Sequence, residues 1–221
     1  MTWKINGDKE EVLLSLVLPA YNEEDTLDKC TTLTLEALDQ FLNKKDYEII
    51  IVEDGSTDKT PEVAKKLAGK FDQVRYFHSD KRLGKGKALT MAFREGKGRI
   101  LAFMDVDLAT DLQHLPELIK AVDEEGYDIS IGSRLLPNSK VDRGIRRTIA
   151  GKVFNKLVRL LLGSNLRDHQ CGFKAFRRDI FENLVLEVKN DHLFWDSEFL
   201  VKAQNHRYRV KEIPVRWKDK G

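Results

Sequence analysis

The chain has 221 residues, is 41% apolar and 33% charged, and carries a formal charge of +2, so it supports one sizeable core rather than two independent ones. A charge this near zero gives no sign of a nucleic-acid partner and none is expected. It excludes neither a membrane nor an anionic ligand, so only local clustering of basic residues is informative.

In chain order, the apolar runs at Leu13–Pro19, Tyr47–Glu53, Val74–Phe77, Arg99–Asp105 and Tyr127–Ser133 read as strands, several of them buried on both faces. Between them, Glu23–Phe41, Lys59–Gly69, Gly84–Gly96 and Asp111–Glu125 have helical composition and spacing. This βαβ alternation predicts an α/β fold, a mostly parallel, doubly wound sheet with helices on both faces. After Arg134 the pattern changes. Arg143–Leu162 reads as a basic amphipathic helix, 167–176 as a loop, 192–204 as a helix and Arg209–Trp217 as a last strand. Residues 12–134 are expected to form a nucleotide-binding half and 135–221 an acceptor-side half, with the chain cut close to a C-terminal membrane segment. Cys30 and Cys171 form neither a CxxC pair nor a ligand series, which points to a reduced compartment rather than a disulfide scaffold or zinc site. No apolar run approaches the ~20 residues that span a bilayer, and the N-terminal "MTWKINGDKEE" is no signal peptide.

In open α/β sheets ligands bind beyond the carboxyl ends of the strands. Those positions here read "PAYNEE", "EDGSTD", "HSDKRLGKG", "DVDLAT" and "GSR". If the strand ran on through "DVD", Asp105 and Asp107 would share a face and repel, so a positive partner is expected between them. Mg2+ or Mn2+ fits that need, because either ion takes one or two carboxylates and completes its shell with diphosphate oxygens and water. Asp54 is read as a carboxylate for a nucleotide, whereas Ser56, Thr57 and Asp58 read as turn and cap residues. "LGKGKAL" lacks P-loop spacing. Lys85 is therefore read as a charge toward the substrate, with Gly84 and Gly86 as turn formers. The basic residues of 143–162 interleave with an apolar stripe, the composition of a helix lying on an anionic membrane surface. Asp196 and Glu198 are candidate acceptor-side acids, and no histidine spacing suggests a metal or a triad.

Taken together, "LVLPAYNEE", "IIIVEDGSTDKT", "GKGKALTMAF", "FMDVDLAT", "IGSR" and "DHQCGFKAF" resemble the inverting family 2 glycosyltransferases of the GT-A fold. Within them the chain looks most similar to the polyprenyl-phosphate branch, which includes dolichyl-phosphate glucosyltransferases and dolichyl-phosphate mannose synthases. "DVDLAT", "RDHQCGFKAF" and "FWDSEFL" followed by "EIPVRW" favour the glucosyltransferase side. The resemblance implies that Pro19, Tyr21, Glu23 and Asp54 hold the nucleotide, that Asp105 and Asp107 hold metal and diphosphate, and that Arg134 and Arg147 hold the acceptor phosphate. It departs from the mannose synthases at Ala109, where they often carry Gln, and at Glu53, where the usual doublet has Asp. The expected donor is a nucleotide-diphosphate sugar, UDP-glucose ahead of GDP-mannose, and the expected acceptor is dolichyl or polyprenyl phosphate on the cytoplasmic face of a membrane. Such an acceptor needs no histidine base, since a phosphate monoester has a second pKa of about 6 and is already a nucleophilic oxyanion at neutral pH. Two rivals stand beside this reading. A haloacid-dehalogenase-like phosphatase would need DxDGT and GDxxxD patterns that the chain lacks, and a sensor without turnover would differ by showing no transfer.

Overall fold

The computed structural model describes residues 12–220, so the N-terminal stretch judged above for a signal peptide lies outside the described residues. The described residues form nine strands and seven α-helices. They are β1 (Leu14–Ala20), α1 (Leu27–Leu38), β2 (Tyr47–Asp54), α2 (Thr60–Lys70), β3 (Val74–Ser79), α3 (Lys85–Glu95), β4 (Ile100–Met104) and α4 (Leu115–Asp123), followed by β5 (Ile129–Ser133) and β6 (Lys140–Asp142). The rest is α5 (Ile145–Leu162), β7 (Phe173–Arg177), α6 (Arg178–Leu184), α7 (Trp195–Asn205), β8 (Val210–Pro214) and β9 (Arg216–Lys218). Seven strands form one sheet in the order β3-β2-β1-β4-β7-β5-β8, and β6 and β9 pair separately.

Period-2 alternation explains why the central strands are apolar on both faces. In β1, Leu14, Leu16 and Leu18 face α1, α2 and α4 with Ile49 and Ile51 of β2. Val17, Ile50 and Val52 face the other way, into an aromatic core with Phe93 of α3, Phe103 of β4, Phe181 of α6 and Phe199 of α7. The Phe93 and Phe176 rings meet edge to face at 5.0 Å, geometry that adds about 0.5–1.5 kcal/mol beyond area burial. The mostly parallel sheet with helices on both faces is the architecture expected from the sequence.

Three expectations need correction. The segment 167–176 is a loop only in its first half. "FKAFR" is β7, an internal strand antiparallel to both β4 and β5. It is short and carries a lysine, so it lacks the continuous apolar run that marked the other buried strands. The helix expected from Glu23 starts at Leu27, because residues 22–24 are drawn into a clasp with 56–60: the Asn22 amide donates to Ser56 Oγ (3.0 Å), Thr57 N to Asn22 Oδ1 (2.9 Å) and Lys59 N to Glu24 Oε2 (2.8 Å). The last strand is broken at Val215 into β8, in the main sheet, and β9, which leaves it to pair with β6.

Candidate active site

The chain runs outward from β1 through β2 to β3 on one side, then crosses to β4 on the other. Strand order therefore reverses between β1 and β4, which opens a crevice at their carboxyl ends. Pro19 lies in β1 and Tyr21 and Glu23 just beyond it, Asp54 closes β2, Lys85 opens α3, and Asp105 and Asp107 follow β4. All seven line one open cleft of about 230 Å3. The structure thus brings together every residue that the sequence assigned to the donor and the metal.

Both aspartates lie beyond the strand, so Asp105, read above as its last residue, is not in it. β4 ends at Met104, and the chain turns through Leu108, whose φ is +54°. A positive charge beside Asp105 comes from Lys85, whose Nζ lies 2.6 Å from Asp105 Oδ1. Burial opposes the Lys85 charge, but Asp105, then Asp196, outweigh it and raise its pKa overall. Asp107 Oδ1 accepts the Ala109 amide at 2.9 Å, and burial, with Asp105 as a like charge, raises its carboxyl pKa. Burial raises Glu23 as well, and Asp107, Asp105 and Asp58 add to that against the Thr26 hydrogen bond. Anionic carboxylates therefore crowd one wall of the cleft. Among the described residues no group of three or more His, Cys, Asp or Glu side chains is set to hold an ion unaided. Two hard carboxylate donors opening onto a cleft still suit Mg2+ or Mn2+, which usually completes its shell with substrate phosphates and water.

The glycines around Lys85 do different jobs. Gly84 has φ +99°, and a Cβ there would lie 2.6 Å from the Asp191 carbonyl oxygen. Gly86 is not a turn former. It sits inside α3, where a Cβ would meet Trp195 Cβ at 2.5 Å, so its role is to let α7 approach. Asp54 fixes this loop, accepting the Leu83 amide at 2.6 Å and the Gly84 amide at 3.0 Å. The Arg82 guanidinium lies 3.8 Å from the Tyr21 ring centroid, within cation–π range.

At the expected acceptor end, Arg134 follows β5 and Asp168 grips it as a fork, with Nε to Oδ2 at 2.7 Å and Nη2 to Oδ1 at 2.9 Å. The Arg134 backbone amide donates to the same carboxylate at 3.0 Å. Asp168 is fully buried; burial would raise its pKa, but the Arg134 hydrogen bonds and charge prevail and hold it low. The fork takes Nε and Nη2 and leaves the Nη1 edge for an anion. Arg147 is placed elsewhere: its side chain is 56% exposed and its guanidinium is paired with Asp219 at 2.7 Å. Arg143 stands closer to Arg134 in kind, since both guanidinium groups lie over the Trp217 ring, at 5.4 and 5.5 Å.

The family model described as Glycosyl transferase family 2 matches residues 15–185. The chain belongs to that family. Glycosyltransferase AglD of Haloferax volcanii is 49% identical over 95% of this chain, which spans 34% of that relative. Dolichyl-phosphate beta-glucosyltransferases of Drosophila melanogaster and Trichomonas vaginalis (ALG5D) are 36% and 32% identical over 95% and 96% of the chain, which spans 68% of each. Among solved structures, glucosyl-3-phosphoglycerate synthase of Mycobacterium tuberculosis with Mn2+, UDP and glucosyl-3-phosphoglycerate superposes with a TM-score of 0.70 at 20% identity, covering 100% of this chain and 80% of that one. Mannosyltransferase PcManGT of Pyrobaculum calidifontis, solved with GDP-Man and Mn2+, gives 0.65 at 20% identity, covering 99% and 60%. These structures establish the GT-A fold.

Within this family 2 domain, sequence reading passed over Asp168, Lys174 and Arg82. Lys174 is 2% exposed and binds Asp196 Oδ2 at 2.8 Å and the Cys171 carbonyl at 2.7 Å, so Asp196 is a buried ion-pair partner rather than a free acceptor-side acid. Glu198, the other candidate acid, accepts the amides of Lys189 and Asn190 and shapes the preceding loop. The signal for Asp168 was its place in "RDHQCGF", four residues before Gly172, which abuts the DxD. The Asp105 amide donates to the Gly172 carbonyl at 3.0 Å, and a Cβ on Gly172 would meet Asp105 Oδ2 at 2.0 Å.

Proposed function

We propose that this chain transfers a hexose from a nucleotide-diphosphate sugar to dolichyl or polyprenyl phosphate with inversion at the anomeric carbon, with UDP-glucose the favoured donor and Mg2+ or Mn2+ the cofactor. The observation that carries this is the convergence of Pro19, Tyr21, Glu23, Asp54, Lys85, Asp105 and Asp107 on one cleft at the point where strand order reverses. The relatives named for dolichyl phosphate and glucose support the acceptor and sugar.

In this reading Asp105 and Asp107 hold the divalent ion, which when bound neutralises charge on the departing diphosphate. Lys85 supplies a second positive charge at the same end, and Tyr21 and Asp54 shape the nucleotide end. The acceptor phosphate meets the free edge of Arg134, with Arg143 beside it over the Trp217 ring. A phosphate oxygen forms the new bond to the anomeric carbon while the carbon–oxygen bond to the diphosphate breaks and its electron pair leaves with the nucleotide. No protein base takes part, because the nucleophile is already ionised. Among the described residues no helix is long and apolar enough to cross a membrane. Contact with the cytoplasmic face of a membrane is assigned to α5, whose basic residues interleave with an apolar stripe.

A screen of UDP-glucose, UDP-N-acetylhexosamines and GDP-mannose with a short-chain dolichyl phosphate and Mn2+ tests the proposal. Transfer from UDP-glucose to give a β-linked lipid phosphate sugar is expected. Transfer from GDP-mannose alone would move the chain to the mannose synthases, and nucleotide binding without any transfer would leave only a sensor.

A further inference from the structure

Trp217 lies in β9 and is held from both sides. On one side β6 pairs with β9 and sets Val141 opposite Trp217. On the other stands the segment that follows the DxD: Thr110 bridges Trp217, the Lys218 amide donates to the Ala109 carbonyl at 2.8 Å, and the Asp111 amide donates to the Arg216 carbonyl at 3.0 Å. The Ala109 amide in turn donates to Asp107 Oδ1, so a short chain of hydrogen bonds ties the indole's strand to the DxD turn. The indole itself gathers two cations. The Arg134 and Arg143 guanidinium groups lie 5.5 and 5.4 Å from its centroid, inside the ~6 Å at which the negative face of a ring attracts them. As like charges they repel, and burial, then Arg134, lowers the Arg143 pKa. Arg134 has Asp168 for its fork, whereas the buried Nε of Arg143 has no hydrogen-bond partner among the described residues. A donor left in that state beside a second guanidinium calls for an anion that both can share.

We propose that Trp217 is a positioning residue of the transfer: its ring gathers Arg134 and Arg143 into one phosphate seat, and its strand holds that seat at a fixed offset from Asp107. The inference rests on the lipid-phosphate acceptor proposed above and adds the group that registers acceptor against donor. An indole offsets the repulsion between the two guanidinium groups without neutralising either, whereas a carboxylate in its place would cancel the charge that the phosphate needs. An aliphatic side chain would fill the space but present no negative face. Registration matters because a phosphate oxygen must sit ~3–3.5 Å from the anomeric carbon, and a small misplacement of the seat slows the reaction steeply.

Steady-state kinetics in detergent test it, with Mn2+, a short-chain polyprenyl phosphate and the sugar nucleotide that supports transfer in the screen above. Trp217→Leu should raise the acceptor KM and lower kcat, each about 10-fold, while nucleotide affinity in calorimetry stays at the parental value. Trp217→Phe keeps an aromatic face and should stay within about 3-fold of the parent in both constants. Arg143→Gln removes one cation, leaves β9 intact, and should also raise the acceptor KM. Combined with Trp217→Leu it should be no worse than Trp217→Leu alone, because both changes remove the same contact. Effects that multiply in the double variant, or a Phe variant as impaired as the Leu variant, would overturn the proposal. So would loss of nucleotide affinity in Trp217→Leu, which would mark Trp217 as a packing residue of the whole cleft. Absence of transfer by the parent from every donor would instead sink the acceptor reading, and this inference with it.

Discussion

At the scale of single residues, the site is a contest between like and unlike charge around Asp105. Lys85 satisfies one of its oxygens, while Asp107, next in the turn, is pushed toward neutrality by burial and by Asp105. Asp107→Asn should therefore lose Mn2+-dependent nucleotide binding by at least ~100-fold in calorimetry, at or above the range for weakening the surroundings of a metal ligand. Removing one of two crowded charges should at the same time raise the metal-free melting temperature, on the order of 2 °C. Arg134 is a second case. Its fork and backbone are both tied to a fully buried Asp168, so Arg134→Ala would strand a charge. Arg134→Lys keeps the charge but gives up the bidentate geometry. It should raise the acceptor KM about 10-fold and leave nucleotide affinity unchanged, as steady-state kinetics with varied lipid phosphate would show. Residues such as Asp54 and Asp107 were legible because strand ends announce themselves in the sequence. Asp168 was not, because its meaning depends on an arginine 34 positions earlier.

At the scale of elements, α5 is tied to the body through a polar knot. Its buried Asn155 accepts from both the backbone amide and Nδ1 of His169, at 2.9 and 2.8 Å, and donates to the Gly151 carbonyl at 2.9 Å. With Nδ1 carrying the proton, Nε2 accepts from Ser164 Oγ at 2.7 Å. The Gln204 amide of α7 closes the knot against the same Ser164 Oγ. Burial, then Lys174, lowers the His169 pKa to about 4. An unfolded histidine titrates near 6.5, so between those values the unfolded chain binds more protons and stability falls as pH falls. His169→Gln should start less stable yet show a flatter loss from pH 6.5 to 4 in urea titrations. An unchanged slope would mean that another group governs that window. The helix itself was readable from its periodicity. The strand β7 was not, since Lys174 interrupts the pattern that a buried strand normally presents.

At the scale of the whole molecule, one sheet runs through both of the halves expected from the sequence, because β7 lies between β4 and β5. The alternation of strands and helices up to Arg134 made the fold class legible. The insertion was not, because antiparallel pairing across such a distance leaves no local mark. Residues 12–134 alone should therefore fail to reproduce the nucleotide affinity of the full chain in calorimetry, since both β4 and β5 would present an open edge and the Asp105 amide would lose its carbonyl partner. That late insertion also imposes a schedule on biogenesis. While the polypeptide is emerging from the ribosome, the DxD turn is made early but stays unbraced until the codons for Phe173–Arg177 have been read, so a nascent chain released before that point would be a sticky, inert fragment for quality control to clear.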